Sequence, residues 1–338
     1  MTTVTLSMLA KELKLSISTV SKALHDSYEI SNETKKIVLQ KAKELNYQVN
    51  PFASGLRKKK SKTIAVVVPE VANNFFSLAI NGVESIAQAK GYHVLIYLTH
   101  EDLKKEITTM SLLQNGRVDG VLISLSCETS DTRHIEDLSN KDIPLVLFDR
   151  IAENIHVPKV TTDDKNSSYS ATEHLIGQGC KRISFLSLSD NVSIFKKRQE
   201  GYEEALKKHG IKVDASLIVH CGADERKNTL LLKRLFSRKN LPHAVLSSAE
   251  RLAISCYETC NNLMIKIPEQ VKIISFSNLQ TAALLRPSLT TITQPAFEIG
   301  KEAASILFKL IEKKGINYIA EKTILSSTLI TRKSTARV

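Results

Sequence analysis

The chain has 338 residues, of which 42% are hydrophobic and 24% are charged. This length corresponds to two or three domains, and the apolar fraction suffices for packed cores, which excludes an intrinsically disordered protein. The formal net charge is +12 and is uneven, since residues 1–62 hold 12 Lys and Arg against 5 Asp and Glu, a net of +7. This asymmetry indicates a polyanion-binding head on a nearly neutral body.

Several classes of protein are disfavoured by what the sequence lacks. The five cysteines are scattered and odd in number, which favours reduced thiols in the cytoplasm over a disulfide framework. The N-terminal stretch has no apolar core of a signal peptide, and no apolar run approaches 18 residues, so we expect no membrane association. Metal-binding, glycine-rich phosphate-binding and nucleophile-elbow motifs are missing, so we expect no enzyme, no cofactor and no metal site.

The first residues predict a helix, a tight turn and a second helix. An apolar stripe at helical spacing marks the first helix: Leu6, Leu9, Ala10 and Leu13. Ser16 is the residue type of an N-cap for the second helix, whose inner face is Val20 and Leu24. The outward residues suit a major groove about 12 Å wide: Ile17, Ser18, Ser21 and Lys22. The alternative is an ordinary surface helix pair, because such patterns have false positives.

A third helix is predicted over residues 31–45, with Ser31 as its cap and an inner stripe of Ile37, Val38, Ala42 and Leu45. Asn50 and Pro51 then begin a short helix that contains Gly55, and one or two such turns are not stable alone. The basic run at 57–60 repels itself and extends. The sequence therefore predicts a hinge at residues 50–62 that becomes ordered only when a partner binds.

From residue 63, short β-branched runs alternate with amphipathic helices. The predicted strands are 64–68, 93–97, 120–124, 144–148, 183–187, 244–248 and 272–276, followed after a long helix from Pro295 by one strand at 323–330. Continuous apolar strands separated by helices indicate parallel sheets covered on both faces. The units are too many for one sheet, and a break near 157–164 suggests two α/β lobes.

These features together resemble the LacI/GalR family of bacterial transcription regulators, over essentially the whole chain. In the head the similarity rests on Val4-Thr5-Leu6, Leu9-Ala10, Leu15-Ser16, Ser18-Thr19-Val20-Ser21-Lys22-Ala23-Leu24, Glu44-Leu45-Asn46-Tyr47 and Asn50-Pro51. In the body it rests on Asn73-Asn74-Phe75-Phe76, Asp119-Gly120-Val121, Phe148-Asp149-Arg150, Gly201-Tyr202 and Ser288-Leu289-Thr290-Thr291.

The resemblance implies a helix-turn-helix DNA-binding head at 1–49, a hinge helix and basic linker at 50–62, and a two-lobed effector-binding and dimerisation body at 63–338. The lobes would resemble periplasmic binding proteins with parallel sheets. Lobe 1 is expected at about 63–160 and 292–320, and lobe 2 at about 161–291 and 321–338. The chain would act as a homodimeric repressor on a pseudo-palindromic operator.

The same resemblance assigns roles in DNA binding. Ile17, Ser18 and Lys22 match base-reading positions, and Lys22 can donate to guanine O6 or N7. The expected phosphate contacts set the register without reading sequence: Thr5, Ser16, Thr19, Ser21, Ser31 and Thr34. Leu56 is similar to the hinge leucine that wedges into the minor groove and kinks the DNA.

A small ligand, expected to be a carbohydrate, would bind in the cleft between the lobes. By position, the effector-binding residues would be Asn73, Phe75, Phe76, Ser124, Asp149, Arg198, Ser277 and Asn278, and Gln294 could also reach the cleft. Arg198 opposite Asp149 could hold hydroxyl groups by charge-assisted hydrogen bonds. The alternative is a salt bridge between these two residues without a ligand.

The sequence departs from the family pattern at three places. The family usually has valine at Leu15, often Asn-Asp at Ala249-Glu250, and often Asp at the position of Ser277. The last two changes remove usual hydroxyl-binding groups, so the ligand need not be a standard hexose. Two other readings stay open: a secreted solute-binding protein, which a basic head disfavours, and a regulator whose body is controlled by a protein partner.

Overall fold

The computed structural model describes residues 4–47, 61–115, 117–141, 143–312 and 321–337. It divides the chain into two units, Met1–Ser61 and Lys62–Val338, which we call the head and the body and describe separately. The predicted hinge residues Pro51 and Leu56 lie outside the described residues. None of the helices in the described ranges is long and apolar enough to cross a membrane.

The head holds three helices in its described part: α1 (Leu6–Glu12), α2 (Ile17–Leu24) and α3 (Asn32–Glu44). Each follows a hydroxyl residue whose oxygen accepts a backbone N–H of the first turn at 3.0–3.3 Å. These caps are Thr5, Ser16 and Ser31. The capping oxygen satisfies an N–H group that has no partner inside the helix, so the predicted caps at Ser16 and Ser31 are confirmed.

A small apolar core joins the three helices of the head. Its buried members are Leu9, Ala10, Val20, Ala23, Val38 and Ala42, with Leu24 and Leu45 packed at its edge. Ile37, which we predicted on the inner stripe, is 53% exposed. Neighbouring helical residues point about 100° apart, and Val38 takes the inward direction, so Ile37 turns outward.

The body contains two six-stranded sheets. The first has the order β11-β5-β4-β3-β1-β2 and the second β12-β10-β9-β8-β6-β7. The strands are β1 (Thr63–Val68), β2 (His93–Leu98), β3 (Gly120–Ile123), β4 (Leu145–Phe148), β5 (Lys159–Thr162), β6 (Ile183–Ser187), β7 (Ile218–His220), β8 (Ala244–Ser247), β9 (Lys272–Phe276), β10 (Thr290–Thr293), β11 (Lys322–Leu325) and β12 (Thr328–Ile330). Among the described strands, all pairs are parallel except β10 with β12.

Helices cover both faces of each sheet. They are α4 (Asn74–Ala89), α5 (Leu103–Leu113), α6 (Arg133–Ser139), α7 (Asp164–Gly177), α8 (Ser193–Lys208), α9 (Glu225–Phe236), α10 (Glu250–Asn262) and α11 (Ala296–Glu312). In lobe 1, α4 and α11 enclose one core and α5 and α6 another. In lobe 2, α7 and α8 cover one face and α9 and α10 the other. The inner strands β1, β3, β4, β6, β8 and β9 are mostly apolar because both of their faces are buried, as predicted, whereas the edge strands β2, β11 and β12 are partly exposed.

The chain crosses between the lobes after β5, after β10 and between β11 and β12. The predicted single strand at 323–330 is in fact two strands, and β11 pairs with β5 in lobe 1, where we expected residues 321–338 to belong to lobe 2. Residues 292–293, expected in lobe 1, belong to β10 of the second sheet. Each sheet thus has one edge strand from the C-terminal segment. Sequence periodicity cannot assign these two strands to their sheets, because both are short and half-exposed.

Candidate functional site

The predicted base-reading residues lie on one helix of the head. Ile17 and Ser18 are exposed at the start of α2, and the ammonium of Lys22 forms an ion pair with the carboxylate of Glu29 in the following loop. Val20 and Ala23 anchor the opposite face of α2 in the core. The helix therefore presents its polar face outward, as the sequence pattern predicted.

Five of the six predicted phosphate contacts lie at helix N-termini, with Thr5 at the start of α1, and Ser21 lies in the middle of α2. Ser16 and Thr19 join their hydroxyls at 2.8 Å at the start of α2, and Ser31 and Thr34 do so at 2.9 Å at the start of α3. Helix N-termini carry free backbone N–H groups and a positive end of the helix dipole, which favours anions. Ser21 is half-buried, and its carbonyl accepts from His25 Nδ1. Leu56 lies outside the described residues.

A cavity lies between the two lobes of the body, with about 380 Å³ of space not filled by atoms, part of it open to solvent. Its walls come from segments that directly follow strands: β1, β4, β6, β8, β9 and β10. Carboxyl ends of parallel strands meet at one edge of a sheet, and two such edges face each other here. The lining residues are Asn73, Phe75, Phe76, Asp149, Arg150, Ile194, Phe195, Arg198, Ala249, Glu250, Phe276, Ser277, Asn278 and Gln294.

The lobe 1 wall begins at the N-terminus of α4. Asn73 caps this helix by accepting from the Phe75 N–H at 2.9 Å. The rings of Phe75 and Phe76 then pack edge to face, with centroids 5.3 Å apart. Asp149 follows β4 in a left-handed conformation, with φ of +57°, which directs its carboxylate into the cavity wall.

Arg198 and Asp149 line the same cavity, as expected, and the salt bridge between them that was the alternative is not made. The guanidinium of Arg198 is paired instead with Asp164, at 2.8 Å from Nε and 2.7 Å from Nη2, and Nη1 donates to the Ser248 carbonyl at 2.6 Å. It also stacks on the Phe276 ring at 3.8 Å. Burial raises the pKa of Asp149 to about 6 against the lowering effect of Arg150 and Arg198.

Arg150 is the centre of a second buried charge network. Its Nη1 donates to both carboxylate oxygens of Glu101 at 2.8 and 2.9 Å, and its guanidinium lies over the rings of Phe76 and Phe195. Burial alone would raise the pKa of Glu101, but the charge and hydrogen bonds of Arg150, the Cys127 N–H and Arg251 together lower it. Glu101 therefore stays ionised.

Glu250 ties the lobes together at the cavity. Its Oε1 accepts from Asn74 Nδ2 of lobe 1 at 2.9 Å, and its Oε2 accepts from the Ser277 hydroxyl and the Asn278 N–H of lobe 2 at 2.8 and 3.1 Å. The next residue, Arg251, reaches Glu101 of lobe 1 at 3.3 Å. Glu250, at a position where the family often has aspartate, thus bridges the two lobes.

Seven of the eight predicted effector-binding residues line the cavity, and so does Gln294. Ser124 does not: it is fully buried under Arg150, whose N–H it accepts at 3.4 Å. The prediction missed Arg150, Ile194, Phe195 and Phe276, and noted Glu250 only as a departure. Phe195 stands three residues before Arg198 and shares its helical face, which is the signal that could have found it.

No cluster of three or more His, Cys, Asp or Glu that could hold a metal ion occurs among the described residues. A helix-turn-helix head followed by a body of two α/β lobes with a cavity between them is the domain organisation of a ligand-responsive regulator of transcription. Two family models match the chain: "Bacterial regulatory proteins, lacI family" over residues 5–50, and "Periplasmic binding proteins and sugar binding domain of LacI family" over residues 61–337. The chain belongs to the LacI family.

Individual relatives agree with this assignment. The transcriptional repressor CytR of Escherichia coli K12 is 30% identical over 99% of this chain and 97% of its own length. The regulator RegA of Clostridium saccharobutylicum is 29% identical over 96% and 97%. The Lac repressor dimer bound to operator shares the fold with a TM-score of 0.84, at 19% identity and 99% coverage of both chains. The chain is a DNA-binding transcriptional regulator and not an enzyme.

Proposed function

We propose that the chain is a repressor that binds a pseudo-palindromic operator as a homodimer and is switched by a small, neutral, polyhydroxylated ligand, a sugar or sugar derivative, between its lobes. The observation that carries the ligand class is the composition of the cavity wall. It combines aromatic rings with two guanidinium and two carboxylate groups. Ligand sites of this kind bind through apolar surface and a few oriented polar groups.

The charges of the cavity argue for a neutral ligand. Arg150 is balanced by Glu101, and Arg198 is balanced by Asp164. A phosphate or carboxylate ligand would meet guanidinium groups that are already neutralised, beside the carboxylate of Glu250. Hydroxyl groups both donate and accept, so they fit a wall that offers Asp149 as acceptor and the guanidinium groups as donors.

The dimer is proposed from an apolar sheet edge. Strand β2 is the edge strand of the lobe 1 sheet, and its residues Leu95 and Ile96 are exposed. An edge strand with exposed apolar side chains is a site for association with another chain. A two-fold interface would also match the two-fold symmetry of a palindromic operator.

The proposed switch couples the cavity to the hinge. A ligand that draws the two lobes of each protomer together would rotate the first lobes of the two protomers relative to each other. This rotation would change the distance between the two hinges. A coupling free energy of about 1–3 kcal/mol is typical of such regulation. Operator affinity measured with and without ligand gives the sign of this coupling. A ligand that weakens operator binding is an inducer, and one that strengthens it is a corepressor.

DNA selection with the full-length protein tests the DNA-binding role. Enrichment from random duplexes should yield a palindromic sequence, and the logarithm of its affinity should fall steeply with the logarithm of salt concentration, because bound phosphates release counterions. Leu56→Ala should weaken binding to that sequence and leave the thermal unfolding temperature unchanged. A flat salt response would contradict the assignment of the head.

A thermal-shift screen tests the ligand class. Mono- and oligosaccharides, nucleosides and sugar phosphates would be added to the full-length protein, and a neutral polyhydroxylated compound is expected to raise the unfolding temperature, since a ligand of the folded state stabilises it. The alternative is control by a protein partner, which the engagement of Glu250 by Asn74, Ser277 and Asn278 favours. No shift across the whole panel would support that alternative.

A further inference from the structure

An acidic residue lies on the face of the head that is proposed to read DNA. The carboxylate of Glu29, in the loop between α2 and α3, forms an ion pair with the ammonium of Lys22. Both side chains are accessible, at 46% and 41% exposure. The Glu29 N–H donates to the Ser27 hydroxyl at 3.4 Å, which ties the loop at this point. The base-reading cation therefore has an anion as its direct neighbour.

We propose that Lys22 and Glu29 read one G·C base pair together, which makes Glu29 a specificity-determining residue of the head. The inference rests on the proposed operator binding and deepens it, because it names the base pair that each half-site must contain at the position of Lys22. Glu29 would act on the cytosine and Lys22 on the guanine.

Electrostatics decides where a carboxylate can lie in a DNA interface. Next to phosphates a carboxylate is repelled. It also reduces the favourable free energy of counterion release that the positive charge of the head provides on DNA binding. Next to a base it is favourable only where it accepts a hydrogen bond, and a carboxylate in the major groove accepts from cytosine N4. Contact with Lys22 directs Glu29 toward the base edges.

The donor and acceptor pattern of the ion pair matches the edge of a G·C pair. Lysine only donates, and ionised glutamate only accepts. Guanine O6 and cytosine N4 are hydrogen-bonded to each other, so they lie about 3 Å apart, which is also the separation of an ammonium and a carboxylate in contact. An A·T pair also presents acceptors beside its one donor, adenine N6, but its two acceptors, adenine N7 and thymine O4, lie on opposite sides of that donor. Only guanine gives the ammonium two adjacent acceptors, O6 and N7, next to the cytosine N4 donor that the carboxylate needs.

The same loop supplies a matched control. Asp26 forms an ion pair with Lys35 of α3 at 2.7 Å, and its side chain is almost fully exposed. Asp26→Asn removes the same charge from the same loop as Glu29→Gln. Within the described head, the ion pair of Asp26 is with Lys35, and that of Lys22 is with Glu29. Both variants lose one negative charge, so a difference in base selectivity between them reports the position of the lost carboxylate and not the loss of charge.

The experiment is selection from random duplex DNA with full-length wild type, Glu29→Gln, Asp26→Asn and Lys22→Gln, followed by affinity measurements on base-substituted sites. Wild type should require G·C at one position in each half-site. Glu29→Gln should lower discrimination at that base pair about 10-fold, the scale of one specific base contact, and leave the other positions unchanged. Asp26→Asn should keep the full preference.

Lys22→Gln should affect the same base pair, and the double variant Lys22→Gln/Glu29→Gln should be no less selective there than Lys22→Gln alone. Unchanged selectivity in Glu29→Gln, an equal loss in Asp26→Asn, or an A·T pair at the affected position would each overturn the shared reading. If wild type enriched no palindromic sequence, the proposed function itself would fail, and the inference with it. Equal unfolding temperatures of the variants would show that folding is retained.

Discussion

Two buried carboxylates next to Arg150 have pKa values that are shifted in opposite directions. Glu101 has a lowered pKa because its carboxylate accepts hydrogen bonds from the guanidinium of Arg150 and from the Cys127 backbone N–H. Asp149 has a pKa raised to about 6, because burial outweighs the influence of Arg150 at 4.0 Å and of Arg198. A raised pKa means that the folded chain holds a proton that the unfolded chain loses from about pH 4 upward. The contribution of Asp149 to stability therefore falls as pH rises to about 6 and stays low above it.

Asp149→Asn should reduce this pH dependence. The raised pKa corresponds to about 2–3 kcal/mol, so the variant should gain up to this amount in unfolding free energy relative to wild type between pH 4.5 and pH 7.5. Asparagine tolerates positive φ, which keeps the backbone unstrained. Urea unfolding at both pH values measures the change. A variant with the same pH profile as wild type would show that Asp149 does not titrate in this range.

Glu101→Gln should act in the opposite direction. Removal of this carboxylate leaves the buried guanidinium of Arg150 without its main partner, a loss of about 3–5 kcal/mol at pH 7.5. The same urea titration compares both variants. Equal stability of Glu101→Gln and wild type at pH 7.5 would argue against an ionised Glu101.

At the scale of elements, glycines set two helix crossings. In lobe 1, a Cβ on Gly300 of α11 would lie 1.9 Å from the Ala79 carbonyl oxygen of α4. In lobe 2, a Cβ on Gly201 of α8 would lie 2.0 Å from the Lys165 carbonyl oxygen of α7. The backbones approach too closely for any side chain, so both lobes use the same solution to pack a helix pair over a sheet.

Gly201→Ala should therefore destabilise the body by about 1–3 kcal/mol or more, because backbone atoms must move apart. Gly177→Ala, at the end of α7, is the matched control, since nothing lies within 4 Å of its added Cβ. Alanine should be neutral there or stabilise by up to about 1 kcal/mol. Thermal unfolding distinguishes them, and equal effects would mean that the crossing can relax.

At the scale of the molecule, two successive residues at the start of α10 hold the lobes together. Glu250 bonds to Asn74, and Arg251 pairs with Glu101. Further lobe-to-lobe contacts run from the Ser193 hydroxyl to the Ile151 carbonyl at 2.9 Å and from Lys197 to Glu153. The closed cleft is thus stabilised by hydrogen bonds and charges of the chain itself, which a ligand would supplement.

The double variant Asn74→Ala/Arg251→Ala should open the cleft. We expect a larger radius of gyration in small-angle scattering of the full-length protein, because both bonds from α10 to lobe 1 are lost. Lys165→Ala is the control, since its ion pair with Glu204 joins α7 and α8 within lobe 2. An unchanged radius in the double variant would mean that the remaining contacts keep the lobes closed.

Much of this architecture was predictable because it depends on local chemistry. The caps at Ser16 and Ser31, the apolar strands and the helical stripes follow from residues that are near each other in the chain. The residues of the cavity came instead from the resemblance to the LacI/GalR family. That resemblance placed the ligand at the carboxyl ends of the parallel strands of both lobes, with Asn73 and Asp149 in lobe 1 and Ser277 in lobe 2.

By itself, the sequence therefore determined the head, the two-lobed body and the position of its cleft. Only the tertiary structure decided which acid neutralises which guanidinium: Asp164 and not Asp149 for Arg198, and Glu101 for Arg150. It also placed Ser124 behind the cavity wall and divided the last strands between the two sheets. These choices depend on distances between residues remote in the chain, and no local pattern encodes such distances.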